Sequence, residues 1–184
     1  YSLCDIIYLR GDGMSLKAID IKELNFNPMT LIGKEWMLVS AGNEKAFNTM
    51  TAQWGHLGAI WNGDMPTSVI YLRPQRYTRE FVDKNDYYTL CFFDPYYKTD
   101  LLYLGTHSGR NEDKLARTSL TPVFSDKSVY FKEAKMVLVC RKVYKGVLHE
   151  EGFIDQSILK KNYPERDFHY VYIGEIVKAY VNEE

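Results

Sequence analysis

The stretch Met136-Val137-Leu138-Val139-Cys140-Arg141-Lys142-Val143-Tyr144-Lys145-Gly146-Val147 lies inside a longer run of β-branched and aromatic residues, 134–148. It reads as one long central strand. Toward the C-terminus, Asp155 is placed to cap a helix running to about Tyr163, Pro164 forbids its continuation, and residues 170–181 alternate as a final strand. Toward the N-terminus, residues 87–93 read as a strand. A short helix is expected before them, capped by Thr78, with Glu80 and Phe81 in its first turn and Asp83-Lys84-Asn85 closing it. Earlier still, Ala59-Ile60-Trp61 joins residues 67–72 through Asn62-Gly63 and Pro66, a hairpin signal, and Trp36-Met37-Leu38-Val39-Ser40 reads as a buried strand. Two further short helices are expected at about 99–106 and 112–118, the second capped by Asn111 with Glu112 and Asp113 favoured by the helix dipole. Strands separated by short helices, with hairpins and no βαβ rhythm, predict a mainly β fold, an antiparallel barrel with short peripheral helices.

The chain has 184 residues with 46% hydrophobic and 26% charged, which fits one folded domain. No repeat or Pro/Gly/Ser-rich linker divides it. Met14-Ser15-Leu16-Lys17 resembles a natural start, so residues 1–13 are expected to lie outside the fold, with residues 1–19 a peripheral extension and 20–184 the domain. Net charge is -1, so no overall field draws in nucleic acid or an anionic membrane, and any anion site must be local. The 15 Tyr, 9 Phe and 3 Trp suit wide β-surfaces and interfaces. Cys4, Cys91 and Cys140 are odd in number and widely spaced, which points away from a disulfide framework or a metal site and toward a reducing compartment. With no apolar run near the roughly 20 residues of a membrane helix and no signal-peptide stretch, a cytoplasmic protein is expected.

Several chemistries lack support. Gly11-Asp12-Gly13 is not a dinucleotide fingerprint, and no P-loop pattern occurs. In Gly105-Thr106-His107-Ser108-Gly109 the serine falls one place too late for a nucleophile elbow. His56, His107, His149 and His169 show no metal-ligand spacing.

Three segments concentrate hydroxyls, glycines and cations: Asn48-Thr49-Met50-Thr51-Ala52-Gln53-Trp54-Gly55, Arg73-Pro74-Gln75-Arg76-Tyr77-Thr78, and Gly105-Thr106-His107-Ser108-Gly109-Arg110-Asn111-Glu112-Asp113-Lys114. Together they resemble the flavoredoxin branch of the flavin reductase-like, FMN-binding split-barrel family. Trp36-Met37-Leu38-Val39, Cys140-Arg141-Lys142-Val143-Tyr144 and residues 169–175 extend the likeness over roughly 20–181. The resemblance implies an antiparallel Greek-key split β-barrel, an FMN cofactor near the interface of a homodimer, and NAD(P)H as electron donor. It places Asn48, Thr49, Met50, Thr51 and Ala52 at the flavin edge. Arg73, Arg76, Tyr77 and Thr78 form a second set of contacts, and Ser108, Gly109 and Lys114 a third. His169 would lie near the flavin.

The residues agree chemically. FMN presents a dianionic phosphate, a polar ribityl chain and a flat ring with hydrogen-bonding edges. Arg73, Arg76 and Lys114 suit the phosphate, with the Thr78 and Ser108 hydroxyls and helix N-terminal amides beside them. Arg76, Arg79, Arg110 and Arg117 each read equally well as solvated surface charges. Residues 48–51 are small and polar where a barrel strand is usually bulky, so their backbone can approach a ring and stabilise charge developing on a reduced flavin. Trp54 reads either as a ring neighbour or as core. His169 reads as a structural histidine or as a group that positions nicotinamide. The function expected is NAD(P)H-dependent flavin reduction. The alternatives are a flavoredoxin-like electron carrier that serves a redox protein partner, and a cofactor-free β-barrel interaction protein.

Overall fold

The computed structural model describes residues 15–183 apart from Asn62 and Asp126, so residues 1–14 and the expectation about them lie outside the described residues. Among the described residues there are ten strands: β1 (Ser15–Ile19), β2 (Met37–Asn43), β3 (Ala46–Ala52), β4 (Gly55–Ile60), β5 (Met65–Leu72), β6 (Tyr87–Phe92), β7 (Pro122–Ser125), β8 (Ser128–Phe131), β9 (Met136–Val147) and β10 (Tyr170–Glu183). The helices are α1 (Pro28–Thr30), continued by a π-turn over Leu31–Glu35, then α2 (Tyr77–Lys84), α3 (Lys98–Thr106) and α4 (Gln156–Asn162).

The main sheet runs β3-β2-β6-β9-β10-β5-β4, with β1 also paired to β10, and each pairing in it is antiparallel. β9 sits between β6 and β10, as its apolar run predicts. The strands at the two ends of this order, β3 and β4, are joined in the chain only by Gln53 and Trp54. With two residues between them, the facing strand ends stand at most about 11 Å apart. The sheet must therefore curl until its edges nearly meet, and the seam of the barrel lies at Gln53-Trp54. One core fills the barrel with Met37, Val39, Ile70, Leu72, Tyr88, Leu90, Leu138 and Tyr172. A second packs Leu101 and Leu104 of α3 and the β7-β8 hairpin against the sheet's other face. In the expected extension, Ser15–Ile19 pairs along β10 and Leu16 is buried.

Two helix expectations change. α2 starts at Tyr77 with Arg76 as its N-cap, because the Arg76 amide closes a turn onto the Arg73 carbonyl at 3.1 Å around Pro74. Thr78 is therefore inside the helix and buried, and does not cap it. The helix expected at 112–118 shortens to a single 3-10 turn, Leu115–Arg117. Asn111 caps nothing there, because Glu112 accepts a hydrogen bond from the Tyr103 hydroxyl (2.8 Å) and Lys114 is drawn into the end of α3. The helices expected at about 99–106 and from Asp155 to about Tyr163 are present as α3 and α4, with the Asp155 side chain accepting the Ser157 amide at 2.9 Å, whereas α1 and its π-turn answer to no expectation from the sequence. Trp36, expected inside β2, stands just before it with φ 73° at the end of the π-turn.

Candidate functional site

Three cavities meet at the seam. A polar cleft of about 200 Å³ is lined by residues 50–54 with Tyr71, Arg73, Arg76 and His169. Beside it, a space of about 170 Å³ reaches along α3 to Trp36, Leu102, Gly105 and Thr106. A third, about 430 Å³ and mostly apolar, lies between α1 and the start of β4. Gln53 borders all three. Because β3 is an end strand of the sheet order, one row of its backbone N–H and C=O groups has no strand partner among the described residues beside this cleft.

The cations divide into two groups. Lys114 is 5% exposed, and its ammonium donates to the carbonyls of Leu104 (2.8 Å) and His107 (3.1 Å), capping the negative end of α3. Arg76 Nη1 donates to the Gly105 carbonyl at 2.9 Å, so both cations stand at one helix end. Burial, with Arg76 adding repulsion against the opposing pull of Glu112, holds the Lys114 ammonium down to about 8. No side chain caps the N-terminus of α2, which leaves its first amides available beside them. Arg73 faces the same cleft but is committed elsewhere: it forms an ion pair with Asp167, donates to the Asn162 carbonyl at 2.8 Å and lies over the Tyr163 ring. Of the three expected phosphate cations, the structure groups Arg76 with Lys114 and gives Arg73 to the loop after α4.

The small polar strand and the glycine-rich loop interlock. Asn48 Nδ2 donates to Thr78 Oγ1 at 2.8 Å. A Cβ added at Gly109 would fall 2.3 Å from Asn48 Oδ1 and 3.6 Å from Tyr77 Cδ1, so a larger residue there has to push the Asn48 amide out of its place. Arg110 is more than a solvated surface charge: it fastens this loop by donating to the Gln75 carbonyl (3.1 Å), pairing with Glu80 and lying 4.5 Å from the centre of the Tyr77 ring. Ser108 Oγ accepts the Arg110 amide at 3.3 Å. Thr49 turns away from the cleft and accepts from Ser40 at 2.8 Å, while Thr51 donates to the Leu101 carbonyl and ties β3 to α3. Met50 and Ala52 are buried in the barrel core, so for these residues the backbone is what the cleft can use.

His169 is 6% exposed, with its ring centre 4.7 Å from that of Trp54, which is 38% exposed. Its Nδ1 is 2.8 Å from the Tyr163 hydroxyl. Burial, reinforced by the Arg73 charge and opposed by Asp167, holds the imidazole down to about 4, so it is neutral at pH 7. The unfolded chain takes up this proton near pH 6.5 and the native state only near 4, so native stability falls as pH drops through that window. Urea titrations at pH 7 and 4.5 should show the wild type losing about 2 kcal/mol more than His169→Phe. Equal losses would place the acid sensitivity elsewhere.

Among the described residues no cluster of three or more His, Cys, Asp or Glu could hold a metal. No described helix is long and apolar enough to cross a membrane.

No family model matches the chain, and no curated protein sequence matches it. Solved structures do. Flavoredoxin from Methanosarcina acetivorans is 22% identical, with 81% of this chain and 69% of that one covered at a TM-score of 0.61. An FMN-binding domain of a flavin reductases-like enzyme from Shewanella baltica OS155 is 15% identical over 93% and 79%, TM-score 0.66. A protein with a split barrel domain from Shewanella frigidimarina NCIMB 400 is 17% identical over 89% and 78%, TM-score 0.63. The chain has the split-barrel fold of these proteins, as the Gln53-Trp54 seam implies.

Proposed function

We propose that this chain binds FMN at the barrel seam and acts as an oxidoreductase that draws electrons from NAD(P)H. The observation that carries the reading is the grouping of Arg76, at the uncapped start of α2, with buried Lys114 at the carbonyl end of α3, next to a cleft whose one histidine is neutral. A dianionic phosphate followed by an uncharged polar chain and ring calls for that sequence of surroundings. The residues present fit the group. Arg76, Lys114 and the first amides of α2 would hold the phosphate. Asn48 and Gly109 keep strand and loop in close contact, and the backbone edge of β3 would supply hydrogen-bonding groups to the ring. FMN, when bound, supplies the electron-accepting chemistry, and the chain binds, orients and excludes water. Trp54 and His169 form the wall against which a nicotinamide would lie, with His169 positioning it by a hydrogen bond.

The proposal includes a two-fold homodimer. Ile60 and Trp61 at the end of the edge strand β4 are 37% and 49% exposed, a surface suited to a second copy. Sedimentation as a monomer at micromolar concentration with FMN still tightly held would defeat this part.

The test is anaerobic addition of NADH or NADPH to the FMN-loaded protein, followed by flavin absorbance. Bleaching within seconds is expected, and His169→Ala should raise the apparent KM for the nicotinamide more than it weakens flavin binding. Reduction only over minutes at millimolar NADH and NADPH would replace the reductase reading with that of an electron carrier, the role suggested by the likeness to a flavoredoxin.

A further inference from the structure

Tyr163 has no part in the flavin site as read from sequence, yet it is 4% exposed, and the one hydrogen bond of its hydroxyl among the described residues is to His169 Nδ1. Its ring cannot swing away. Phe153 and Phe168 pack on it with ring centres 5.3 and 5.1 Å distant, the Arg73 guanidinium covers it at 5.3 Å, and its own amide closes the end of α4 onto the Leu159 carbonyl at 2.9 Å. Pro164 follows, and the Arg166 amide returns to the Tyr163 carbonyl at 3.1 Å, so the backbone on both sides is fixed as well.

We infer that Tyr163 is a positioning residue, which fixes His169 in the tautomer that carries its proton on Nε2 and so makes the ring a hydrogen-bond donor toward the cleft. A neutral imidazole has one N–H and one bare nitrogen, and the hydrogen bond at one nitrogen decides the state of the other. If Nδ1 carried the proton and donated to the tyrosine oxygen, the buried Tyr163 O–H would have no acceptor. If Tyr163 donates to Nδ1, both groups are satisfied, and the remaining N–H is on Nε2. Nδ1 is occupied by Tyr163, one face of the ring by Trp54, and the rest of the imidazole lines the cleft with Tyr71, Arg73 and Arg76. The ligand chemistry selected is therefore an acceptor, such as a carboxamide or ring carbonyl oxygen. A cationic ligand is disfavoured by Arg73 and Arg76. The use of this donor rests on the reading of the cleft as the nicotinamide-facing side of a flavin site, whereas the tautomer itself does not.

The experiment is a long-range ¹⁵N–¹H correlation spectrum of the ¹⁵N-labelled protein at pH 7, without flavin or nicotinamide, with His169 assigned by comparison with His169→Phe. The wild type is expected to show a protonated Nε2 and a bare Nδ1. In Tyr163→Phe, which keeps the ring and loses only the hydroxyl, the signals should shift to those of a tautomer mixture. A protonated Nδ1 in the wild type overturns the inference without any variant, and so does an unchanged tautomer in Tyr163→Phe, since a tyrosine that merely packs would leave the proton where it is. Because no cofactor is present, failure of FMN to bind in a separate titration would sink the reading of the cleft and leave this result standing.

Discussion

Replacing Arg76 by Ala and Lys114 by Met together is expected to weaken FMN binding by about 3–5 kcal/mol, between two and four orders of magnitude in Kd, while the barrel stays folded. Charge-assisted hydrogen bonds are each worth about 1.5–3 kcal/mol when the partner would otherwise be left buried and unpaired. The two cations share the carbonyl end of α3, so their effects should not simply add. The pH dependence separates them. With the Lys114 ammonium held down to about 8, raising the pH past 8 deprotonates the free protein's site, and affinity should fall by up to tenfold per pH unit. Lys114→Met should abolish that slope, whereas Arg76→Ala, by removing a repelling neighbour, should move it to higher pH. Calorimetric titration of FMN between pH 7 and 10 reads both effects. An unchanged Kd in the double variant would remove the phosphate from this corner of the fold.

Gly174→Val should cost about 4 kcal/mol of folding stability, which lowers Tm by roughly 8–16 °C for a chain of this size. A Cβ at this position would fall 2.4 Å from the Tyr88 hydroxyl, 2.8 Å from Tyr88 Cζ and 2.9 Å from Cys140 Cβ, none of which has room to retreat. Tyr88 lies across the bare backbone of β10, where the register with β9 slips between Ile173 and Gly174, and its hydroxyl is 2.8 Å from Ser68 Oγ, which also donates to Cys140 Sγ. Displacing Tyr88 therefore breaks a buried polar network as well as crowding the core. Gly58→Ala on the edge strand β4 is the control, since nothing lies within 4 Å of its added Cβ. A Tm for Gly174→Val within 3 °C of wild type would mean that the barrel tolerates the side chain by moving the strand.

The long central strands were legible because burial leaves a local trace, whereas the short strands β1, β7 and β8 were not expected. The apolar run of β9, the alternation of β10 and the turn dipeptide before β5 each act over a few neighbouring residues. The seam was harder to read, because nothing in Gln53-Trp54 shows that the strands it joins stand at opposite ends of the sheet. Arg76 and Lys114 were readable as cations in hydroxyl- and glycine-rich segments. Arg73 looked the same, but its partners, Asn162 and Asp167, are about ninety residues away, and only the fold brings them near. Thr78 misled for a related reason. A threonine at a helix start is ordinarily a cap, yet here a proline turn begins the helix earlier and leaves the hydroxyl to Asn48, thirty positions away. Tyr163 carried no signal beyond that of an aromatic before a proline, since its meaning depends on the imidazole it meets.

The central claim is that FMN belongs at the seam, and it is tested most directly by titrating the purified protein with FMN at pH 7 while following quenching of flavin fluorescence. Saturable binding that is strongly weakened in Arg76→Ala/Lys114→Met, with unbound riboflavin a far poorer competitor because it lacks the phosphate, is the predicted result. A protein that neither carries flavin when purified nor takes up added FMN, while its far-ultraviolet circular dichroism shows a folded β protein, would contradict it.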